Sequence, residues 1–229
     1  MYFCKLRIII KFKLKNNLIV YAKPKDINYY ITHNKPKTHN FRRTLHKFKF
    51  SKFLFFPVKI FFELFDFFEI EDSYFSEEYV QYFKDTKIYN RVYDILKVPI
   101  THSNFYKHLM NKLMKNGISK HKKYELKSED AIHDFIKSYS KYLSNEKNLL
   151  RVEKKEYGSC LIDKDGNILK SLYVRHRFFA AKILIPNKPF PLIVDGISKT
   201  YIKNNYDYNL NFSENIRLMI NNIQDKLNP

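Results

Sequence analysis

Glycine is scarce in this chain, with 4 in 229 residues. None falls in a glycine-rich phosphate loop, and no nucleophile elbow, HExxH helix motif or Ser-His-Asp grouping is visible, so the familiar hydrolase and metalloprotease chemistries have no foothold. Cysteine is scarcer still. Cys4 and Cys160 lie far apart, without a CxxC or a partnered histidine spacing, which argues against a zinc site or a disulfide framework and fits a reducing cytoplasm. The eight histidines, including His33, His39, His102, His108, His121 and His133, form no metal-ligand pattern. Acidic residues are also outnumbered. There are 23 Asp and Glu against 42 Lys and Arg, for a formal charge of +19.

That charge is unevenly placed. Residues 1–60 carry fifteen Lys or Arg and a single acid, Asp26, whereas residues 61–100 are net acidic. A basic N-terminal third is what a chain binding DNA or RNA would use, through salt-sensitive contacts to phosphates. No helix-turn-helix or RNA-recognition signature accompanies it.

What is abundant is apolar side chain: 45% of the residues, including 18 Tyr and 21 Phe, enough for a substantial core. Long membrane-spanning runs are absent. The opening MYFCKLRIIIKFKLKNNLIVYA is broken by Lys11, Lys13 and Lys15; it reads as an edge strand with one wet face rather than as a signal peptide. The stretch FLFFPVKIFFELFDFF, from Phe53 to Phe68, is interrupted by Pro57, Lys59, Glu63 and Asp66 and is too short for an ordinary span. A buried helix is the plain reading, and a helix lying on a membrane surface is the alternative, because Arg42, Arg43, Lys47, Lys49 and Lys52 precede it.

Three helices are expected next. The first runs from Ser76 to about Leu96, with Val80, Phe83, Val92 and Ile95 inward and Pro99 beyond its end. Ser103 caps a second, bearing Phe105, Tyr106, Leu109, Met110, Leu113 and Met114, which Asn116-Gly117 closes. Ser128 caps a third, with Ile132, Phe135, Ile136, Tyr139 and Leu143 on one face, and Ser213 to Leu227 forms a last amphipathic helix. These stripes are core positions.

The most informative stretch is GSCLIDKDGNILKSLYVRHRFFAAKILIPNKPFPLIV, residues 158–194. Asp165-Gly166 between the apolar pairs Leu161-Ile162 and Ile168-Leu169 signals a hairpin, with Asp163 and Asp165 as turn-makers. After it, Arg175-His176-Arg177 opens a helix that continues through Phe178, Phe179, Ala180, Ala181, Ile183 and Leu184, and Asp195-Gly196 reads as a turn after the last strand. A helix start carries about half a positive charge and up to four amides without an intrahelical acceptor, so the basic triplet there suits an anion such as phosphate.

This order of an acidic-glycine turn, a strand, a His-Arg pair, Ala-Ala-Lys-Ile-Leu, a proline connector and an apolar strand resembles the ParB/sulfiredoxin superfamily. About forty residues carry the resemblance, with an echo at Lys23-Pro24-Lys25-Asp26-Ile27, which is similar to the family's opening strand-loop-helix. The resemblance implies an α+β fold with a small mixed sheet. Residues 1–52 would hold the basic segment with the first core strand and helix, 53–150 a helical insertion, and 151–229 the hairpin-helix-strand core and C-terminal helix, together one compact domain.

It also implies nucleotide binding: CTP in chromosome-partition proteins, and ATP in sulfiredoxins and a related free-serine kinase. Carried over, Val174, Arg175, His176 and Arg177 form the phosphate turn for ATP or CTP, with Mg2+. Transfer of a phosphoryl group to a small hydroxyl or sugar-like compound is the enzymatic extension, and Asp26 is its only catalytic candidate, helix capping being the competing role. The family's glycine falls on Val174, and a β-branched residue disfavours positive φ. Sulfiredoxin's reactive cysteine falls on Arg175, which excludes that chemistry. A non-enzymatic DNA- or RNA-binding module using the basic N-terminal region is the alternative, and peripheral membrane contact through Phe53 to Phe68 is a third.

Overall fold

The computed structural model describes residues 18–31, 69–77, 79–121, 124–150, 157–171 and 174–227. Residues 1–17 and 32–52, which carry most of the basic N-terminal region, and the segment from Phe53 to Phe68 lie outside them, and so do the nucleic-acid and membrane readings that fall on those stretches.

A seven-stranded mixed sheet organises the chain. Its strands are β1 (Ile19–Ala22), β2 (Tyr29–Ile31), β3 (Glu69–Ile70), β4 (Val80–Tyr82), β7 (Gly158–Ile162), β8 (Ile168–Lys170) and β9 (Phe190–Ser198), while β5 (Ser119–His121) and β6 (Tyr124–Leu126) form a separate ribbon. The order across the sheet is β1-β9-β7-β8-β2-β4, and β3 continues the β1 edge along the second half of β9. β9 runs parallel to β7, β8 runs parallel to β2, and β1–β9, β7–β8 and β2–β4 are antiparallel. The chain is therefore a mixed α+β protein, with the helices α1 (Lys87–Lys97), α2 (Asn104–Asn116), α3 (Glu129–Ser144), α4 (Glu146–Leu149), α5 (Arg175–Leu184), α6 (Lys199–Asn204) and α7 (Phe212–Leu227). None of the described helices is long and apolar enough to cross a membrane.

Strand alternation sorts the core. Cys160, Ile162, Ile168, Leu192 and Val194 join the helices in the larger cluster, while Leu161, Leu169 and Ile31 turn to the opposite face with Ile70 and Tyr74. On the larger side Phe83, Phe178, Phe179 and Phe190 are fully buried. Their rings meet edge-on or tilted, Phe83 at 5.1 Å from Phe179 and Phe178 at 5.3 Å from Phe190, the geometry that aromatic quadrupoles favour. This lock clamps the second half-turn of α5 onto the sheet.

Local chemistry explains the helix bounds. Ser103 and Ser128 cap α2 and α3 by accepting from Tyr106 N and Ala131 N, and Gly117 at φ 68° closes α2. The expected helix from Ser76 begins only at Lys87, where Thr86 accepts from Tyr89 N. Ahead of it Val80–Tyr82 is a strand, because it supplies the edge partner of β2, with Tyr29 opposite Tyr82. The segment expected to be a helical insertion thus contributes β3 and β4 to the sheet as well as α1 to α4. The expected opening helix is also shorter: Pro24–Asp26 makes one 3-10 turn before β2 begins three residues later.

Candidate functional site at the entrance of the fifth helix

The hairpin forms as its residues dictate. Gly166 takes φ 85°, and the Asp163 carboxylate accepts from Asp165 N at 2.9 Å, Asn167 N at 2.8 Å and Asn167 Nδ2 at 3.0 Å, so Asp163 makes the turn. β8 then ends at Lys170, and α5 begins at Arg175 with Val174 as its N-cap.

Val174 sits at φ 57° and ψ 35°, the left-handed region, and is the one non-glycine residue with positive φ among the described residues. An L-residue there carries a penalty of about 1–2 kcal/mol, and a β-branched one finds the region especially unfavourable. Val174 thus adopts a conformation that glycine ordinarily takes. Val174 provides no side-chain acceptor to cap the helix, and the first turn contains no acid. The entrance thus keeps the features that attract an anion.

The basic triplet divides its labour. Arg175, half-buried, donates through Nη1 to the Tyr30 hydroxyl at 2.7 Å. Burial raises the Tyr30 phenol above its ordinary range, and the guanidinium pulls it the other way. His176 is half-buried, its ring 6.1 Å from that of Tyr139 on α3; burial pushes the Tyr139 phenol up to about 12. Arg177 departs from the expected role. It is only 7% exposed and donates through Nη2 to the Leu149 carbonyl at the end of α4, at 2.9 Å. Its charge ties α5 to α4, which leaves Arg175 and His176 as the side chains at the mouth.

Asp26 is not brought to this entrance. Lys25 N donates to Pro186 O, beyond the C-terminus of α5, and Lys182 donates to the carbonyls of Pro24 and Ile27, each at 2.7 Å, and of Lys25 at 3.1 Å. Burial lowers the Lys182 amine to about 8, with Asp26 opposing that shift. Lys182 is seven residues beyond Arg175, about 10 Å along a helix axis at 1.5 Å per residue. The physical reason is the brevity of the 3-10 turn, which packs Asp26 against the wrong end of α5 for a catalyst acting on ligand at its start. Asp26 instead lines a cleft of about 510 Å3 with Asn28, Asp163, Asp165 and Lys226, and that cleft includes none of Val174, Arg175, His176 or Arg177. Among the described residues no group of three or more His, Cys, Asp or Glu is arranged to hold a metal ion.

Beneath the entrance lies a polar knot that residue patterns did not announce. Lys170 is fully buried and donates to the carbonyls of Ser159 at 3.0 Å and Ser171 at 2.7 Å, with its ammonium 5.7 Å from the centre of the Phe178 ring. The hydroxyls of Ser159 and Ser171 hydrogen bond to each other, and Ser171 N donates to Ser159 O at 2.9 Å. Cys160 lies opposite Lys170 across the β7–β8 pair, its thiol pushed above the usual range by complete burial. Asp195, expected in a turn, is inside β9. Cys160 faces Val194 and Leu161 faces Gly196, so Asp195 is the extra residue of a bulge, a device that re-aims a side chain. Burial lowers the Lys170 amine to about 7, with Cys160 and Asp195 opposing and Arg175 reinforcing that shift. A lysine following two apolar strand residues reads as solvent-facing, which is why the pattern alone hides it.

Comparison of the chain with protein-family models, with curated proteins and with solved structures returned no match.

Proposed function

We propose that the chain binds the phosphates of a nucleotide, ATP or CTP accompanied by Mg2+, at the entrance of α5. The observation that carries this reading is the left-handed Val174 at φ 57° immediately before a helix that opens Arg-His-Arg without an acid or a side-chain cap. Strained backbone of this kind persists where the surrounding structure imposes it, and it concentrates at ligand-binding turns. Cations at a helix start are unfavourable by roughly 0.3–1 kcal/mol each, a cost that bound phosphate reverses. In this arrangement the amides of the first turn cradle the phosphate oxygens, Arg175 offsets their charge, and His176 donates a hydrogen bond. Arg177 contributes its amide, while its side chain anchors α4.

Thermal-shift screening with ATP, CTP and GTP, with and without Mg2+, tests the proposal. A bound nucleotide at 100 times its dissociation constant adds about 2.7 kcal/mol of stability. The expected result is a shift with at least one of them. The absence of any shift up to millimolar concentration removes the proposal.

A further inference from the structure

A fully buried lysine on a central strand demands a reason, since an apolar side chain of similar length would fill the same space without the cost of desolvating an amine. Lys170 is held by carbonyls on both sides of the β7–β8 hairpin, Ser159 O at 3.0 Å and Ser171 O at 2.7 Å. Ser171 begins the connection to Val174, and Phe178, whose ring lies 5.7 Å from the ammonium, belongs to the opening of α5. The amine therefore sits under the helix entrance and grips the chain that leads into it.

Charged and titratable groups act on it from three neighbouring elements. Cys160 acts on it from β7 and Asp195 from the β9 bulge, while Arg175 acts from the start of α5. Tyr30, opposite Lys170 on β2, engages Arg175 through its hydroxyl. Asp195 and Cys160 favour the charged amine, and Arg175 disfavours it. Complete burial is the largest influence, and with these charges superimposed on it the amine is lowered to about 7. An anion at the helix entrance offsets the Arg175 charge and adds its own attraction, which favours the ammonium.

We infer that Lys170 is a positioning residue that couples anion binding at the α5 entrance to the uptake of a proton, so that affinity for a phosphate-bearing ligand falls as the solution becomes alkaline. The inference rests on the phosphate-seat reading of the preceding section. Its direction separates it from titration of the ligand, because a nucleotide gains charge as pH rises and on that account alone would bind more tightly to a cationic seat.

Isothermal titration of the full chain with ATP, CTP and inorganic tripolyphosphate at pH 6, 7 and 8, in buffers of differing ionisation enthalpy, tests it. The expected result is affinity about tenfold weaker at pH 8 than at pH 6, with proton uptake on binding, as follows for one group titrating near neutrality when free and charged when bound. Lys170→Arg keeps the charge and is expected to retain binding while losing the pH dependence. Lys170→Met is expected to bind at pH 6 about tenfold more weakly than the parent chain, with a flat profile. His176→Asn, which removes a donor to the phosphate, is expected to weaken binding at every pH while the ratio of affinities between pH 6 and pH 8 stays near tenfold. Where Lys170→Met fails to fold, the parent chain and His176→Asn carry the test. Loss of the pH dependence in His176→Asn, or its persistence in Lys170→Arg, overturns the role of Lys170. Binding with no proton uptake overturns the same inference and leaves the phosphate seat standing, whereas no binding of any of the three ligands at any pH removes both.

Discussion

Replacing Val174 by glycine and by alanine isolates the backbone conformation on which the site depends. Both variants lose the same valine methyl groups, which are partly buried against the core, so that loss cancels between them. At an ordinary position glycine is less stable than alanine by roughly 0.5–1 kcal/mol, because it surrenders more chain entropy on folding. At φ 57° alanine carries the left-handed penalty of about 1–2 kcal/mol that glycine escapes. The balance therefore reverses, and Val174→Gly is expected to be more stable than Val174→Ala by about 0.5–1 kcal/mol. Against the parent chain Val174→Gly should be no more stable, since the relief of strain is opposed by both the loss of packing and the chain entropy that glycine surrenders. Urea unfolding of the three proteins, compared at equal m-value, measures these differences. If Val174→Ala is the more stable of the pair, the left-handed conformation is not what this position imposes, and the proposal of a ligand-binding turn there fails with it.

Three further outcomes follow from the same geometry. Burial holds the Lys170 amine at about 7 in the folded chain, so above that pH the unfolded chain binds a proton that the folded chain lacks, and stability rises with pH. Between pH 7 and 8.5, before ionisation of the unfolded Cys160 thiol acts oppositely, the share due to Lys170 is roughly 1.5–2 kcal/mol; Lys170→Met should remove that share and leave the smaller rise that the lowered Lys182 amine contributes, and an undiminished rise in that variant would show that another group is responsible. Arg177→Ala removes the donor to Leu149 O and leaves a cavity, so it should cost roughly 2–4 kcal/mol in denaturant unfolding, and a neutral result would contradict the anchoring role. In a Cys4→Ser background, Cys160, which is fully buried, should react with a thiol reagent only as fast as the sheet opens; rapid labelling of the folded chain would place it at the surface.

The parts of the fold legible in the residues were those in which local chemistry and tertiary packing agree. Ser103, Ser128 and Gly117 mark helix ends by capping rules that need no distant partner, and Asp163 to Asn167 encodes its own turn. The segment around Val80 was misleading because Val80 and Phe83 fit a helical spacing, while the pairing of Tyr82 with Tyr29 is a long-range event. Asp195-Gly196 has the signature of a turn, yet pairing with β7 on one side draws it into a bulge. The β5–β6 ribbon is mostly polar, with Lys120 and Glu125 2.9 Å apart, and has too little apolar alternation to be read as a ribbon. At the candidate site the basic triplet was visible, but its division was not. Which arginine turns inward depends on where α4 ends, and the burial of Lys170 depends on Phe178 and on the two serine carbonyls.

Docking of phosphate oxygens on the first-turn amides of α5, as proposed, can be followed directly. Titrating isotopically labelled chain with ATP and with CTP in the presence of Mg2+, and following the backbone amide resonances, tests it at the atoms concerned. The expected result is that the amides of Arg175, His176 and Arg177 shift most, and that Arg175→Gln weakens the response without unfolding the chain. Nucleotide-induced shifts confined to residues around Asp26, Asp163 and Lys226, with the α5 amides unmoved, would contradict it.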